Sequence, residues 1–262
     1  MESHSNNRLV KNTLLLYVRT IIVMCVGLYT SRVILDVLGI EDYGIYNVVG
    51  GLVAMFSFLN ATMSGATSRF ITFELGKNSS KVQTVFSVAL TIHIIIALIV
   101  FLIGETFGLW FLENKLTIPA TKMYEAKWLL QFSIVTMIFS FTQVPYNASI
   151  IAHEKMNIYA YFELVNVGLK LLSVYLLLII DANKLIFYGA IVMLTQIGVT
   201  LLYRLYCTRK WEHCKFNLSL DREFLRPLLS YSGWDLFGNA SLVARTQGVN
   251  AVSYTHLTLP TT

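Results

Sequence analysis

Six long apolar stretches separated by polar segments set the pattern of this chain. They cover residues 13–35, 44–67, 84–108, 128–151, 158–180 and 185–206, and a seventh begins near Leu228. A helix needs about 20 apolar residues to cross a bilayer, so each of the six is long enough. The runs are continuous rather than alternating, which favours helices over barrel strands. The sequence therefore predicts an all-α, polytopic membrane helix bundle.

Composition agrees with lipid as the solvent of this chain. Apolar residues make up 55% and charged residues 13%, and the mean hydropathy is +0.61. A soluble domain carries about 25% charged residues. The polar N-terminal stretch "MESHSNNRLVKN" has no small-residue cleavage site after it, unlike a signal peptide. Cys207, His213 and Cys214 lie close together, but their spacing is not that of a zinc site, so we expect no metal and no cofactor.

Lysine and arginine in the loops predict the orientation of the chain. Of the 20 such residues, twelve fall on the side of the N-terminus, four on the other side and four within or at the ends of spans. The positive-inside rule then places the N-terminus in the cytoplasm. The net charge of +5 follows from this bias, and no basic face suits nucleic acid. The basic segment "CTRKWEHCKFNLSLDREFLRP" is expected to lie on the anionic inner leaflet, with a specific partner site as the alternative.

Three of the spans carry polar residues at helical spacing. Positions three or four apart share one face of a helix. Such stripes either join helices by hydrogen bonds or line a polar cavity, and the pattern leaves both readings open. The stripes are Ser57, Asn60, Ser64 and Thr67 in the second span, Ser133, Thr136, Ser140, Gln143 and Asn147 in the fourth, and Glu163, Asn166, Lys170 and Ser173 in the fifth.

Lys170 is the costliest polar residue in the predicted spans. It lies about 18 Å from the inner end of its helix, near the middle of a core of about 30 Å. Placing lysine there costs about 3 kcal/mol, so we expect it to face water or a partner. Arg19, Arg32, His93 and Arg245 bring further cations or potential cations into other spans. If these groups converge, they form a positively charged cavity; the alternatives are that Arg32 snorkels to headgroups and that His93 is neutral.

These observations give a set of candidate residues for substrate binding and for bending. Pro145 removes a helical hydrogen bond, and paired glycines allow close packing or bending. The candidates for lining a substrate cavity are Arg19, Arg32, Asn60, Gln143, Asn147, Glu163, Asn166, Lys170 and Arg245. The candidate hinges are Gly50, Gly51 and Pro145.

Signatures of enzymes are not found. The sequence contains no P-loop, no Gly-x-Ser-x-Gly and no His-Glu-x-x-His, and no channel filter motif. We therefore expect a protein that is not an enzyme.

Three stretches resemble a known transporter family. They are "RVILDVLGIEDYGIYNVVGGL", "VPYNASIIAHEKMNIYAYFELVNVGLKL" and "LLSYSGWDLFGNASLVARTQGVN". The first carries Arg32, Leu38–Gly39 and Tyr43–Gly44, and the second carries Pro145 and Lys155. In order and spacing they resemble the polysaccharide-exporting flippases of the multidrug/oligosaccharidyl-lipid/polysaccharide exporter superfamily, over most of residues 8–250.

The resemblance implies a fold, a function and partners. Such flippases move undecaprenyl-pyrophosphate-linked oligosaccharide across the bacterial inner membrane by alternating access, for O-antigen, capsule or exopolysaccharide synthesis. They consist of two six-helix lobes. Residues 1–227 would then be the N-terminal lobe with its cytoplasmic linker, and 228–250 the start of the second lobe. The implied partners are the lipid-linked substrate, membrane lipids, other polysaccharide assembly proteins and a coupling cation.

Residues 251–262, "AVSYTHLTLPTT", resemble translated adapter sequence, so we expect them to be a non-native tail.

A drug/cation antiporter of the multidrug and toxin extrusion type is the main alternative function. Such an antiporter would favour acidic residues in the cavity, whereas cations outnumber acids in the predicted spans. An integral-membrane polysaccharide polymerase or a scaffold is a remoter alternative.

Overall fold

The computed structural model describes residues 2–54, 56–77, 79–116, 118–179, 183–238 and 241, without the side chains of residues 2–12, 54, 58 and 61. Arg245 and the predicted tail at 251–262 lie outside the described residues. Within these ranges the regular structure is helical and contains no strand. The predicted all-α helix bundle is therefore confirmed.

Eight α-helices follow one another within the described ranges. The third continues through a π-helical segment, Gly104–Gly108, into the fourth, and short 3₁₀ turns precede the fifth and follow the seventh. The helices are α1 Glu2–Ala54, α2 Ser57–Gly76, α3 Val82–Ile103, α4 Leu109–Asn114, α5 Met123–Ala152, α6 Met156–Ile179, α7 Lys184–Lys210 and α8 at 222–238. The last helix begins six residues before Leu228, where the seventh span was predicted to start.

Five helical segments among the described residues are long and apolar enough to cross a membrane. Four of them match the third to sixth predicted spans, and the first takes in the first predicted span and part of the second. The segments are Thr13–Val53, Val82–Asn114, Ala120–Ala152, Met156–Ile179 and Lys184–Lys210.

The first of these segments is bent back on itself at Gly39. Its 41 residues would extend about 61 Å as a straight helix, about twice the hydrocarbon thickness. Gly39 has φ +77° and ψ 171°, a conformation that glycine adopts readily and other residues rarely do. The chain is helical up to and after this one residue. We call residues 2–38 the first arm of α1 and residues 40–54 the second arm.

A further interruption divides the predicted second span, 44–67. The second arm of α1 ends at Ala54 and α2 begins at Ser57, with the Phe56 N–H donating to the Val53 carbonyl at 3.0 Å. Gly50 and Gly51 lie in the helix just before this interruption, whereas α5 continues through Pro145 to Ala152. The role of these three residues as hinges stays a prediction.

Helix α5 is the centre of the bundle, because α7, α3, α2 and α1 all pack against it. The closest approach to α7 is at Gly189, where an added Cβ would lie 2.8 Å from Leu129 Cδ1 and 3.1 Å from Phe132 Cδ2. A similar approach brings Gly104 of the π-helical segment against Ile134. These contacts fix the rotation of α5 and hence the direction in which its polar stripe faces.

Candidate functional site

The polar stripes of three helices meet around a cavity of about 310 Å³, here called the amide cavity. Helix α2 contributes two residues, α5 four, α6 two and α7 one. Most of these residues carry amide or hydroxyl groups, so the cavity is polar although it lies inside an apolar bundle. Its lining residues are Asn60, Ser64, Ser140, Gln143, Val144, Asn147, Glu163, Asn166 and Gln196.

A second cavity of about 410 Å³, here called the lysine cavity, adjoins the first. The two share Ser140 and Gln196, so together they form one continuous path along the polar stripe of α5. The second arm of α1 forms one wall with Tyr46, Gly50 and Val53. The other lining residues are Ser57, Leu129, Phe132, Ser133, Thr136, Met137, Lys170, Gly189 and Val192.

The stripe of α5 faces these two cavities along its whole length, since all five of its predicted members line one or both. The other two stripes do so in part. Thr67 of α2 is fully buried instead, and the Ser173 hydroxyl of α6 donates to the Lys170 carbonyl at 2.6 Å. Local hydrogen bonding thus accounts for Ser173.

Hydrogen bonds between helices run through the same side chains that line the cavities. Asn60 Nδ2 donates to Ser140 Oγ at 2.9 Å and joins α2 to α5. Gln196 Nε2 donates to Gln143 Oε1 at 2.9 Å and joins α7 to α5, and the Thr200 hydroxyl donates to the same oxygen at 3.2 Å. Lining a cavity and joining helices are therefore not exclusive here, because one stripe does both.

Three asparagine oxygens on the amide cavity lack partners within the structure. The Oδ1 atoms of Asn60, Asn147 and Asn166 are buried and accept no hydrogen bond from the described residues. Buried polar atoms are nearly always paired, so unpaired ones call for an explanation. Amide oxygens accept hydrogen bonds and bind cations. The amide cavity therefore offers acceptors to hydroxyl groups, ammonium groups or a metal cation.

Glu163 on the amide cavity is paired with Arg19 from the first arm of α1. Arg19 Nη2 lies 3.9 Å from Glu163 Oε2, and the guanidinium lies 4.7 Å from the ring centre of Tyr159. The side chains of Arg19 and Glu163 are only 20% and 24% exposed. The negative charge of Glu163 is therefore offset by a cation that the sequence places 144 residues away.

Lys170 is the contrasting case, because the described residues provide it with no ion pair. Its side chain is exposed and lines the lysine cavity. It also lines a third cavity of about 270 Å³ between the two arms of α1 and α6. Lys170 therefore gives this polar path an unpaired positive charge.

Two further predicted cations, Arg32 and His93, do not line these cavities. Arg32 is exposed and lines none of the three cavities. His93 is fully buried, with Nδ1 2.7 Å from the Ala89 carbonyl oxygen, and it lines none of them either. Arg245 lies outside the described residues. Of the predicted cations that the structure describes, Lys170 lines cavities and Arg19 reaches the amide cavity through its ion pair with Glu163.

Sequence reasoning missed the contribution of α7. Gln196 lines both polar cavities and Thr200 bonds to Gln143. These two residues are four positions apart in an otherwise apolar span, and this spacing could have indicated that they share one face of the helix. Within the described part of the chain, no group of three or more His, Cys, Asp or Glu residues is placed to hold a metal ion.

Comparison with known proteins gives one informative match. No protein-family profile and no curated protein matches this sequence. The fold is similar to a solved structure of a multidrug resistance MATE family transporter of the MOP superfamily in an outward-facing conformation, with a TM-score of 0.76 and 15% sequence identity. The match covers 94% of this chain and 56% of that protein, so this chain spans about half of its length. At this identity the likeness establishes the fold alone.

Proposed function

We propose that this chain is one lobe of a membrane transporter that works by alternating access. The observation that carries the proposal is the connected pair of polar cavities, about 310 and 410 Å³, inside a bundle of membrane-spanning helices. Substrate sites of secondary transporters lie near the middle of the bilayer, between packed helices. The likeness in fold to a MATE transporter supports the proposal. We further propose a bacterial inner-membrane location with a cytoplasmic N-terminus, from the loop charges.

Two classes of cargo are consistent with this site. The comparison favours a drug/cation antiporter over an oligosaccharide flippase, because the similar structure is named as a multidrug resistance transporter. The amide cavity also suits that class, since three unpaired asparagine oxygens and the Glu163 carboxylate surround one space. A proton or a coupling cation there would compete with Arg19 for Glu163.

The lysine cavity favours the other class, a lipid-linked oligosaccharide. A pyrophosphate needs a cation to enter a low-dielectric site, and Lys170 is a cation without an ion pair in the described residues. Sugar hydroxyls would find both donors and acceptors in the amide cavity. Undecaprenyl-pyrophosphate oligosaccharide, with polysaccharide assembly proteins as further partners, is therefore the proposed cargo under this hypothesis.

Transport by the whole gene product in proteoliposomes tests the function and separates the two classes. One assay follows flipping of a fluorescent polyprenyl-pyrophosphate glycolipid, and the other follows proton- or sodium-driven uptake of a cationic dye. Each is repeated with Lys170→Gln, Glu163→Gln and the matched control Arg32→Gln, whose side chain is exposed away from the cavities.

The results have distinct meanings. Flipping that falls at least about tenfold in Lys170→Gln but not in Arg32→Gln supports the flippase. Dye uptake that depends on Glu163 and persists without Lys170 supports the antiporter. Absence of both activities from a protein that is folded and inserted would overturn the proposal that this is a transporter of either class.

A further inference from the structure

The linker between α7 and α8 presents three exposed apolar side chains in a row of alternating residues. Phe216, Leu218 and Leu220 are 51%, 61% and 57% exposed. The segment 215–221 forms neither helix nor strand, and it leaves Lys215 with extended backbone angles. We call these three exposed apolar side chains together the linker face.

The opposite side of the linker is attached to α3. The Ser219 N–H donates to the Thr91 hydroxyl oxygen at 3.3 Å, and that hydroxyl donates to the Ser87 carbonyl at 2.8 Å. At the two ends of the linker, Cys214 and Phe224 are buried in the same apolar cluster as α3. The linker is thus held in the middle and at both ends, and the linker face is directed away from the protein.

The attachment point also gives the depth of the linker. The helical segment Val82–Asn114 has 33 residues, about 50 Å, which exceeds the hydrocarbon thickness by about 20 Å. A segment centred in the membrane and parallel to its normal extends about 10 Å beyond the hydrocarbon at each end. Thr91 lies nine residues, about 13 Å, from Val82. For a segment centred in this way, the linker face lies close to the boundary between acyl chains and headgroups.

Basic residues flank the linker face on both sides. Five cations lie between positions 209 and 226, against the three carboxylates of Glu212, Asp221 and Glu223. Glu223 forms an ion pair with Lys81 at 2.6 Å, and Glu212 forms a longer one with Lys215 at 3.8 Å. Clusters of basic residues next to a membrane attract anionic headgroups. The five cations are Arg209, Lys210, Lys215, Arg222 and Arg226.

We propose that the linker face is a docking surface for anionic phospholipid of the leaflet it faces. Phe216, Leu218 and Leu220 insert among the acyl chains at the headgroup boundary, and the flanking cations contact lipid phosphates. The chemistry is that of an interfacial anchor, in which apolar burial and charge attraction act together. This inference depends on the linker and on membrane insertion, and it is independent of the cargo of the polar cavities.

The test measures amide hydrogen exchange across the linker in lipid nanodiscs. The full 262-residue chain is placed in discs of phosphatidylcholine alone or of phosphatidylcholine with 30% phosphatidylglycerol. Amides of residues 215–221 are expected to exchange at least about fivefold more slowly in the anionic discs, which is the effect of roughly one cation at a charged surface. The difference is expected to shrink in 0.5 M salt because of screening.

Variants separate lipid docking from other causes of slow exchange. Replacing Phe216, Leu218 and Leu220 together by serine is expected to abolish the difference between the two discs. The matched control replaces Leu178 and Ile179, exposed apolar residues at the far end of α6, by serine and is expected to preserve it. Exchange in α5 shows that each variant remains folded. Equal linker exchange in both discs, or slow exchange that survives the triple change, overturns the proposal and assigns the face to another occupant, such as a further part of the gene product.

Discussion

Arg19 and Glu163 join the first arm of α1 to α6 through an ion pair of 3.9 Å beside the amide cavity. One nitrogen of the Arg19 side chain, Nε, is buried and makes no hydrogen bond to the described residues. Glu163 also lines the cavity, so anything that neutralises this carboxylate weakens its attraction to α1. A proton or cation bound at Glu163 would therefore weaken the contact with the first arm of α1, which does not itself line the amide cavity.

Replacing Arg19 by leucine is expected to destabilise the protein. The change leaves Glu163 without its cation in a partly buried site, and we expect a loss of about 1–3 kcal/mol, between the values for exposed and buried pairs. Thermal unfolding in nanodiscs measures the effect. Arg32→Leu is the control, since Arg32 is exposed and should change stability by less than about 0.5 kcal/mol. Equal effects of the two changes would show that the ion pair does not stabilise the fold.

Replacing Lys170 by methionine is expected to stabilise the protein while impairing any anion binding. An unpaired lysine in the bilayer costs about 3 kcal/mol, and exposure to a cavity reduces that cost, so we expect a gain of about 1 kcal/mol. Unfolding and binding of a pyrophosphate lipid would be measured on the same preparation. Lys155→Met, in the exposed loop after α5, serves as control. A loss of stability would mean that Lys170 has a partner in the native protein.

Two glycines on α7 should respond in opposite ways to alanine. At Gly189 the new methyl group would lie 2.8 Å from Leu129 Cδ1, so Gly189→Ala is expected to cost about 1–3 kcal/mol by overpacking α5 against α7. At Gly198 nothing lies within 4 Å, and alanine should be neutral or stabilise the helix by up to about 1 kcal/mol. Thermal unfolding of both variants checks this pair. Similar effects at the two sites would refute the close approach of α5 and α7.

Acidification is expected to loosen the start of the linker. The His153 ring stacks on Trp211 at 4.1 Å and lies parallel to His213 at 5.1 Å. Burial lowers the pKa of His153 below its usual value, opposed by its hydrogen bond to the Ser149 carbonyl, while nearby His213 and Lys155 lower it further. The unfolded chain therefore takes up a proton first as the pH falls below about 6.5. Stability contributed by the stack is present above that pH and is lost as the pH falls towards the folded-state pKa.

Hydrogen exchange of residues 211–214 between pH 7.5 and pH 5.5 measures this loss, after correction for the intrinsic pH dependence of exchange. His153→Phe keeps an aromatic ring against Trp211 and removes the titrating group, so its linker should hold equally well at both pH values. A pH response that remains in His153→Phe would assign the titration to a different group.

Local periodicity predicted those parts of the site that depend on a single helix. The α5 stripe was readable because Ser133, Thr136, Ser140, Gln143 and Asn147 recur every three or four residues. The pairing of Arg19 with Glu163 could not be predicted from the sequence, because it depends on how α1 and α6 are rotated relative to each other. Such rotations depend on packing between helices, as the contact of Gly189 in α7 with Leu129 in α5 illustrates for another pair, and no local pattern records them.

The breaks in the helices also differ in whether a local sequence pattern predicts them. Leu38–Gly39 belongs to a stretch that carries the family resemblance, and the chain reverses there at a single residue of left-handed backbone. The helix is interrupted at Phe56 although no proline lies there. The helix that contains Pro145 is uninterrupted. Tertiary packing overrides local preference at both places, as it does for helix propensity in general.

The left-handed backbone at Gly39 also determines whether the number of membrane crossings before each later loop is odd or even. Every return across the membrane exchanges the sides on which all later loops are found. If α1 ran straight through Gly39, the number of crossings before each later loop would change by one. With the proposed cytoplasmic N-terminus, the Lys- and Arg-rich loops would then face outwards, against the positive-inside rule. Under the proposed topology, one torsion angle of +77° near the start of the chain keeps the charge pattern of the remaining 223 residues consistent with that rule.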